Sequence, residues 1–240
     1  MASIPPSLGG QPLPLYLSAQ QPAERNRLTA ALRLIWVIPQ AIVLYFVYIA
    51  AFFVAIVGWF GALFTGELPG FAEDFLSGVV RWGARVSGYF YFLTDDYPAY
   101  TLEQEPNYAI QIAVPPRVPL NRLAVLFRII LVIPGAIVAG LAGSGLGVLS
   151  VGSWFMITFT GAQPIPLYEA TRTIIRFQVR LAGYFWMLTA EYHWGLLGDA
   201  TATNERADGS GWEIQLSDGG RYAVIAALVI GVIYALFNYA

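Results

Sequence analysis

One unit of sequence occurs twice at a fixed offset, and this limits the fold more than any other feature of the 240-residue chain. Asn26-Arg27-Leu28 returns 95 positions later as Asn121-Arg122-Leu123. At the same offset Arg33 matches Arg128, Val37-Ile38-Pro39 matches Val132-Ile133-Pro134, and Trp59-Phe60 matches Trp154-Phe155. Phe64-Thr65-Gly66 matches Phe159-Thr160-Gly161, Arg81 and Arg85 match Arg176 and Arg180, and Gly88-Tyr89-Phe90 matches Gly183-Tyr184-Phe185. Identity at one period without a gap marks two copies of a single supersecondary unit. Whatever packs one copy must also pack the other.

Composition says what solvent surrounds these copies. The chain is 57% hydrophobic and 12% charged, with mean hydropathy +0.59. Soluble domains carry about 25% charged residues, so there is too little polar surface here to cover a water-facing exterior. Net charge is −2, which gives no basic field for nucleic acid. There is no cysteine and one histidine, His193. Disulfides, thiolate sites and imidazole-rich metal centres are therefore not expected, and the chain is expected to need no metal or cofactor. The start of the chain, MASIPPSLGGQPLPLYL, has neither a basic n-region nor an apolar h-region, so a cleaved signal peptide is not expected.

Apolar runs and turn residues divide the chain. Residues 1–12 read as a flexible N-terminus. The first repeat covers 13–103, with a strand at 13–17 and helices near 28–64 and 71–93. The second covers 104–199, with a strand at 108–114 and helices near 123–159 and 166–188. Residues 200–240 form a truncated third unit, with a strand at 212–216 and a span near 222–239. Residues 40–64 carry no formal charge, and about 20 such residues cross about 30 Å of hydrocarbon. The glycine-rich run Gly140–Gly147 and the pair Gly58 and Ala62 have the small-xxx-small spacing that lets helices approach closely, with Gly143 and Gly147 at that spacing in the run.

A lone hairpin is marginal, so the three strands are expected to pair on one side of the membrane. Each repeat must then cross twice. Arg25, Arg27 and Arg33, then Arg117, Arg122 and Arg128, then Arg206 and Arg221 precede the spans. Glu67, Glu73, Asp74 and Glu169 sit at the hairpin tips, with Arg172 as a basic exception. The positive-inside rule places the N-terminus and strands in the cytoplasm and the C-terminus outside. The expected fold is mainly α and integral to the membrane. It has two parallel-repeat transmembrane hairpins, one C-terminal span and a small three-stranded cytoplasmic sheet.

The second helix of each repeat carries an arginine stripe. Asp74, Ser77, Gly78, Arg81, Arg85 and Gly88 share one face of the first. Glu169, Arg172, Thr173, Arg176, Arg180 and Gly183 repeat it. Each arginine at a bilayer centre costs about 2.5–3.5 kcal/mol, so something anionic or polar must face it. Asp95, Asp96 and Glu191 are the candidate counter-charges, beside the tip acids, the other repeat and lipid phosphate. The stripe either bonds carbonyls and acids between packed helices, holds anionic phospholipid headgroups, or lines an anion path through an oligomer. In a variant of all three, the arginine helix lies in the interface rather than across the bilayer. Trp36, Tyr97, Tyr192 and Trp194 read as interfacial anchors. Asp95-Asp96 and His193 carry no recognisable catalytic pattern, and no G-x-S-x-G or P-loop is present.

The combination R-W-x-x-R-V-x-x-Y (Arg81–Tyr89), L-T-D-D-Y-P (Leu93–Pro98), V-I-P and W-F-x-x-L-F-T-G (Trp59–Gly66) resembles a bacterial membrane family known as a domain of unknown function, often found in tandem. The resemblance covers about residues 13–199. It implies a plasma-membrane protein and carries no activity. Ala190 and His193 replace Asp95 and Pro98 in the second copy. The expected function is therefore non-enzymatic: an accessory or scaffold subunit, or an organiser of anionic phospholipid. Its partners would be membrane lipid and either a membrane protein or further copies of itself. An oligomeric channel or transporter is the alternative, and a lipid-acting enzyme is a more distant one.

Overall fold

The computed structural model describes residues 15–19, 21–22, 25–115, 117–190, 192, 194–198 and 216–239. Among them are two strands, β1 (Tyr16–Ala19) and β2 (Ile110–Ala113), and six helices. The helices are α1 (Arg27–Thr65), α2 (Gly70–Phe90), α3 (Arg122–Leu126), α4 (Arg128–Thr160), α5 (Ile165–Phe185) and α6 (Asp218–Tyr239). The helix expected near 123–159 is interrupted at Phe127, and the last helix starts at Asp218 rather than near Tyr222. Of the third strand expected at 212–216, all but Leu216 lies outside the described residues.

The repeated motifs place the same caps in both copies. The Asn26 side chain accepts from the Thr29 amide at 3.1 Å, and Asn121 accepts from the Leu123 amide at 2.9 Å. Gly66 (φ 85°) and Gly161 (φ 75°) end α1 and α4 in the left-handed region that glycine enters without steric cost. The ends of α2 and α5 use the same device with larger residues. Leu93 N bonds Gly88 O and Leu188 N bonds Gly183 O, both at 2.8 Å. This forces Phe92 (φ 66°) and Met187 (φ 64°) into the left-handed region. That costs about 1 kcal/mol each, offset because both side chains are buried.

Each repeat is a helical hairpin. Gly58 of α1 packs on Leu68 and Ala72, and Tyr48 lies against Gly83. The Trp82 indole donates to Gln40 Oε1 at 3.0 Å. So α2 runs back along α1, and α5 runs back along α4 in the same way, with Arg128 Nη1 reaching Tyr184 O at 2.8 Å. α1 buries one stripe (Ala30, Arg33, Gln40, Leu44, Ala51, Gly58, Ala62) and leaves the rest of its surface exposed, whereas α2 and α5 are buried over most of their length.

The two hairpins are not parallel, as the parity count required. The start of α1 meets the end of α4: Arg27 Nη2 bonds Thr160 O at 3.2 Å, and Ala30 packs with Ile157 and Trp154. The end of α1 meets the start of the second repeat, where Trp59 Nε1 bonds Val125 O at 2.9 Å and Leu120 N bonds Gly66 O at 2.8 Å. α1 and α4 are therefore antiparallel, and the repeats are related by an approximate two-fold axis across the helices. The sheet carries the same symmetry. β1 and β2 pair antiparallel, and Leu17 lies opposite Ile112, its own counterpart 95 residues on. Tyr16 pairs with Ala113 and Ser18 with Gln111, so each pair maps onto the other. The parity count failed because it placed the strands beyond the helix ends. They lie instead across the flanks of α2 and α5.

The result is layered. On α2, Gly78 and Gly88 meet Leu102 and Ile110 of the covering segment, while Ala72 and Gly83 on the other side meet α1. α6 joins the apolar layer beside α4. A Cβ on Gly145 would lie 1.7 Å from Ala227 O, and one on Gly231 would lie 1.9 Å from Leu141 O. The close-contact glycine of the Gly140–Gly147 run is thus Gly145. Gly143 lies against Gln178, and Gly147 faces open space. α1, α4 and α6 are long and apolar enough to cross a membrane, by length and composition. The expectation was five such helices, and α2 and α5 are not among these three.

Candidate functional site

The arginine stripes face the segments that cover α2 and α5. Arg85 donates from Nη1 to Glu103 O at 3.0 Å and from Nη2 to Thr101 O, and it pairs with Glu105 at 3.3 Å. Arg81 Nη1 donates to Ser77 Oγ at 3.2 Å. In the second copy, Arg172 Nη1 reaches Ala19 O at 3.4 Å, Arg176 Nη2 reaches Gly195 O at 2.9 Å, and Arg180 Nε reaches Leu15 O at 3.1 Å. Burial pulls the Arg85 guanidinium below its ordinary value, and the Glu105 carboxylate opposes that shift. Arg85, Arg172, Arg176 and Arg180 thus give donors to backbone carbonyls of the segments that lie over their helices.

The counter-charges are distributed differently from expectation. Glu105, not a residue of the L-T-D-D-Y-P motif, faces the first stripe. Asp96 is exposed, and its carbonyl accepts from the Tyr108 hydroxyl at 2.9 Å. Glu191 lies outside the described residues. Asp95 belongs to a separate centre at the junction of the repeats. Its Oδ1 takes Arg33 Nη2 at 2.5 Å and Arg25 Nη1 at 3.3 Å, and its Oδ2 takes the Asn26 amide at 2.9 Å. Arg25 Nη2 also donates to Phe92 O at 2.5 Å and to Gln163 Oε1 at 2.6 Å. Arg33 Nη1 donates to Tyr89 O at 2.7 Å, and the Arg33 guanidinium lies over the Tyr89 and Phe92 rings at 4.6 and 4.5 Å. Both arginines are buried. Desolvation lowers the Arg25 value, while Asp95 raises it.

Arg25, Arg33 and Gln163 were missed as site residues. The available signal was that Arg33 and Arg128 are charges inside otherwise apolar helices and occur in both copies. The aromatic anchors also have counterparts: Tyr97 packs on Tyr89 at 5.6 Å, and Tyr192 on Tyr184 at 5.7 Å. Trp194 joins Tyr192 at 5.0 Å. Trp36 is exposed on α1.

The family described as a domain of unknown function, DUF4389, matches residues 27–101 and 122–196. Both matches start at the Asn-Arg-Leu cap and end in the segment covering the arginine helix. The chain belongs to the DUF4389 family. No curated protein and no solved structure matches the chain.

The two DUF4389 copies differ where they build this centre. Asp95 is replaced by Ala190 and Arg25 by Leu120, and Arg128 donates to Tyr184 O and Thr189 O (3.3 Å), with no carboxylate partner among the described residues. Among the described residues each centre nonetheless holds one net positive charge: two arginines and an aspartate in the first, one arginine in the second. Beside the first centre is a cavity of about 190 Å³ lined by Arg33, Leu34, Phe90, Phe92, Ser150, Val151 and Trp154. Trp59 bonds Val125 O, whereas its counterpart Trp154 beside the cavity has a buried Nε1 without a partner.

Proposed function

We propose that this DUF4389 protein is a non-catalytic membrane scaffold. Its α1, α4 and α6 layer is held in lipid, and its arginine helices tie a polar surface onto that anchor. The observation that supports this most is the division of labour between the helices. α1, α4 and α6 expose apolar side chains over most of their surface, while Arg81, Arg85, Arg172, Arg176 and Arg180 each bond to groups of the same chain. The family resemblance points to the bacterial plasma membrane. Exposed Arg27 and Arg122, at the starts of α1 and α3, give anionic phospholipid a place to associate by ordinary charge attraction. The polar surface is the part a larger complex would use.

The test is fractionation of native membranes. The protein should remain in the membrane pellet after alkaline carbonate extraction and should co-purify with other membrane proteins under mild detergent. Arg85→Ala and Arg180→Ala should increase protease sensitivity while leaving the co-purified lipid unchanged. Release by carbonate would refute membrane embedding. Loss of a specific anionic phospholipid in these variants would show that the stripe is a headgroup site.

A further inference from the structure

We infer that the helices lie flat in one leaflet of the bilayer, with the pseudo-two-fold axis along the membrane normal; this rests on the membrane reading above and specifies the lipid surface the protein fits. The usual upright placement fails on position and on length. The axis passes through the Leu17–Ile112 pair. It also passes between α2 and α5, where a cavity is lined by Val80, Gly83, Ala84 and Ser87 together with their counterparts Ile175, Gln178, Val179 and Ala182. With the helices upright, that point is the bilayer midplane. The sheet, two-stranded among the described residues, would sit in hydrocarbon. So would the segment over the middle of α2, where Glu103, Gln104, Pro106 and Asn107 are exposed. Unpaired backbone and open sheet edges facing lipid have no partner there and are not tolerated.

Length agrees. Exposed apolar side chains run along α1 from Leu28 to Phe64 and along α4 from Ile129 to Phe159. At 1.5 Å per residue these runs are about 54 and 45 Å long, against a hydrocarbon core of about 30 Å. An upright α1 would push about 12 Å of apolar surface into water at each end. Laid flat, the whole run meets acyl chains. The α1, α4 and α6 layer is one helix thick, about 10 Å, which matches the depth reached by interfacial helices. The sheet and covering segments then face water. The Arg27 and Arg122 ends lie at headgroup level, and the positive-inside rule favours the cytoplasmic leaflet.

The absence of cysteine makes the topology directly measurable. Glu67→Cys and Ala162→Cys mark the tips of the two hairpins, and Gln104→Cys marks the segment over α2; all three positions are exposed. Each variant is treated with a membrane-impermeant maleimide in right-side-out and in inverted vesicles. All three should react from the same side. Reaction of 67 and 162 from opposite sides would establish an upright bundle and overturn the proposal. Reaction of both tips from one side and of 104 from the other would overturn it equally. As a second readout, nitroxide labels at exposed Ile35, Phe46, Phe53 and Phe60 are placed in vesicles of phosphatidylethanolamine and phosphatidylglycerol. These four positions lie within about 20° of one direction around the helix, so their depths should be nearly equal. A steady drift through the bilayer centre, about 1.5 Å per residue, would refute flat embedding. Release of the wild type by carbonate would instead refute the membrane reading itself, so the two failures are distinguishable.

Discussion

Replacing Asp95 by alanine should destabilise the protein by about 3 kcal/mol, and a second substitution, at Arg25, should add almost nothing to that loss. Asp95 accepts from Arg33, from Arg25 and from the Asn26 amide. Its loss leaves two buried guanidinium groups side by side without a carboxylate. Breaking one side of a buried pair costs about 3–5 kcal/mol. The lower end applies because Arg33 keeps Tyr89 O and Arg25 keeps Phe92 O and Gln163 Oε1. Arg25→Leu alone loses two hydrogen bonds beyond the ion pair and should cost about 2–3 kcal/mol. The double variant, Arg25→Leu with Asp95→Ala, reproduces the second repeat, where Leu120 and Ala190 occupy these positions. It returns the centre to one net charge. Its cost should be about 3 kcal/mol rather than the sum of about 5–6, a coupling of about 2–3 kcal/mol. Unfolding in mixed micelles, followed by tryptophan fluorescence and circular dichroism, measures all four proteins on one scale. Additivity within about 0.5 kcal/mol, or an Asp95→Ala cost below about 1 kcal/mol, would show that the ion pair does not hold this junction.

Gly145→Ala should detach α6, since the new methyl would meet the Ala227 carbonyl oxygen. Gly147→Ala faces open space and should be neutral or stabilising by up to about 1 kcal/mol; a disulfide engineered between α4 and α6 reports the difference. Trp59→Phe should cost about 1 kcal/mol more than Trp154→Phe, because only Trp59 Nε1 has an acceptor, and chemical denaturation of the two variants checks this. Burial raises the Tyr108 hydroxyl above its ordinary value, with the Asp96 carboxylate adding to the rise. A raised folded value means that stability is fully present below about pH 10 and falls as pH rises beyond it; Tyr108→Phe should flatten that slope in melting curves taken between pH 8 and 11.

The repeat itself made most of the fold legible. Asn26 and Gly66 mark the two ends of α1, Asn121 the start of α3, Gly161 the end of α4, and Pro69 and Pro164 the starts of α2 and α5, and the expected bounds of α1, α2 and α5 differ from the observed ones by only a few residues. The relation between the copies was not legible. Period and capping are local, whereas antiparallel packing depends on Arg27 reaching Thr160 and Trp59 reaching Val125, contacts between residues far apart in the chain. For the site, the stripe was readable because Arg81 and Arg85 recur one turn apart. Its acceptors were not, because Leu15, Ala19, Thr101, Glu103 and Gly195 offer backbone carbonyls that every residue possesses. Asp95 was visible as a carboxylate at a helix end, but its partners Arg25 and Arg33 belong to the entry of a different helix.

The self-complementary pairing of Leu17 with Ile112 has an evolutionary reading. Each half offers one strand, one apolar helix and one arginine helix to an isologous interface, the kind by which two identical subunits associate about a two-fold axis. The chain is in effect a fused dimer. An ancestral protein with a single half could have closed the same sheet against a second copy of itself. Under that arrangement every substitution would appear on both sides of the axis. Fusion released the constraint. One half could acquire the Arg25 and Asp95 ion pair, while the other gained the Gly145 surface against which α6 rests.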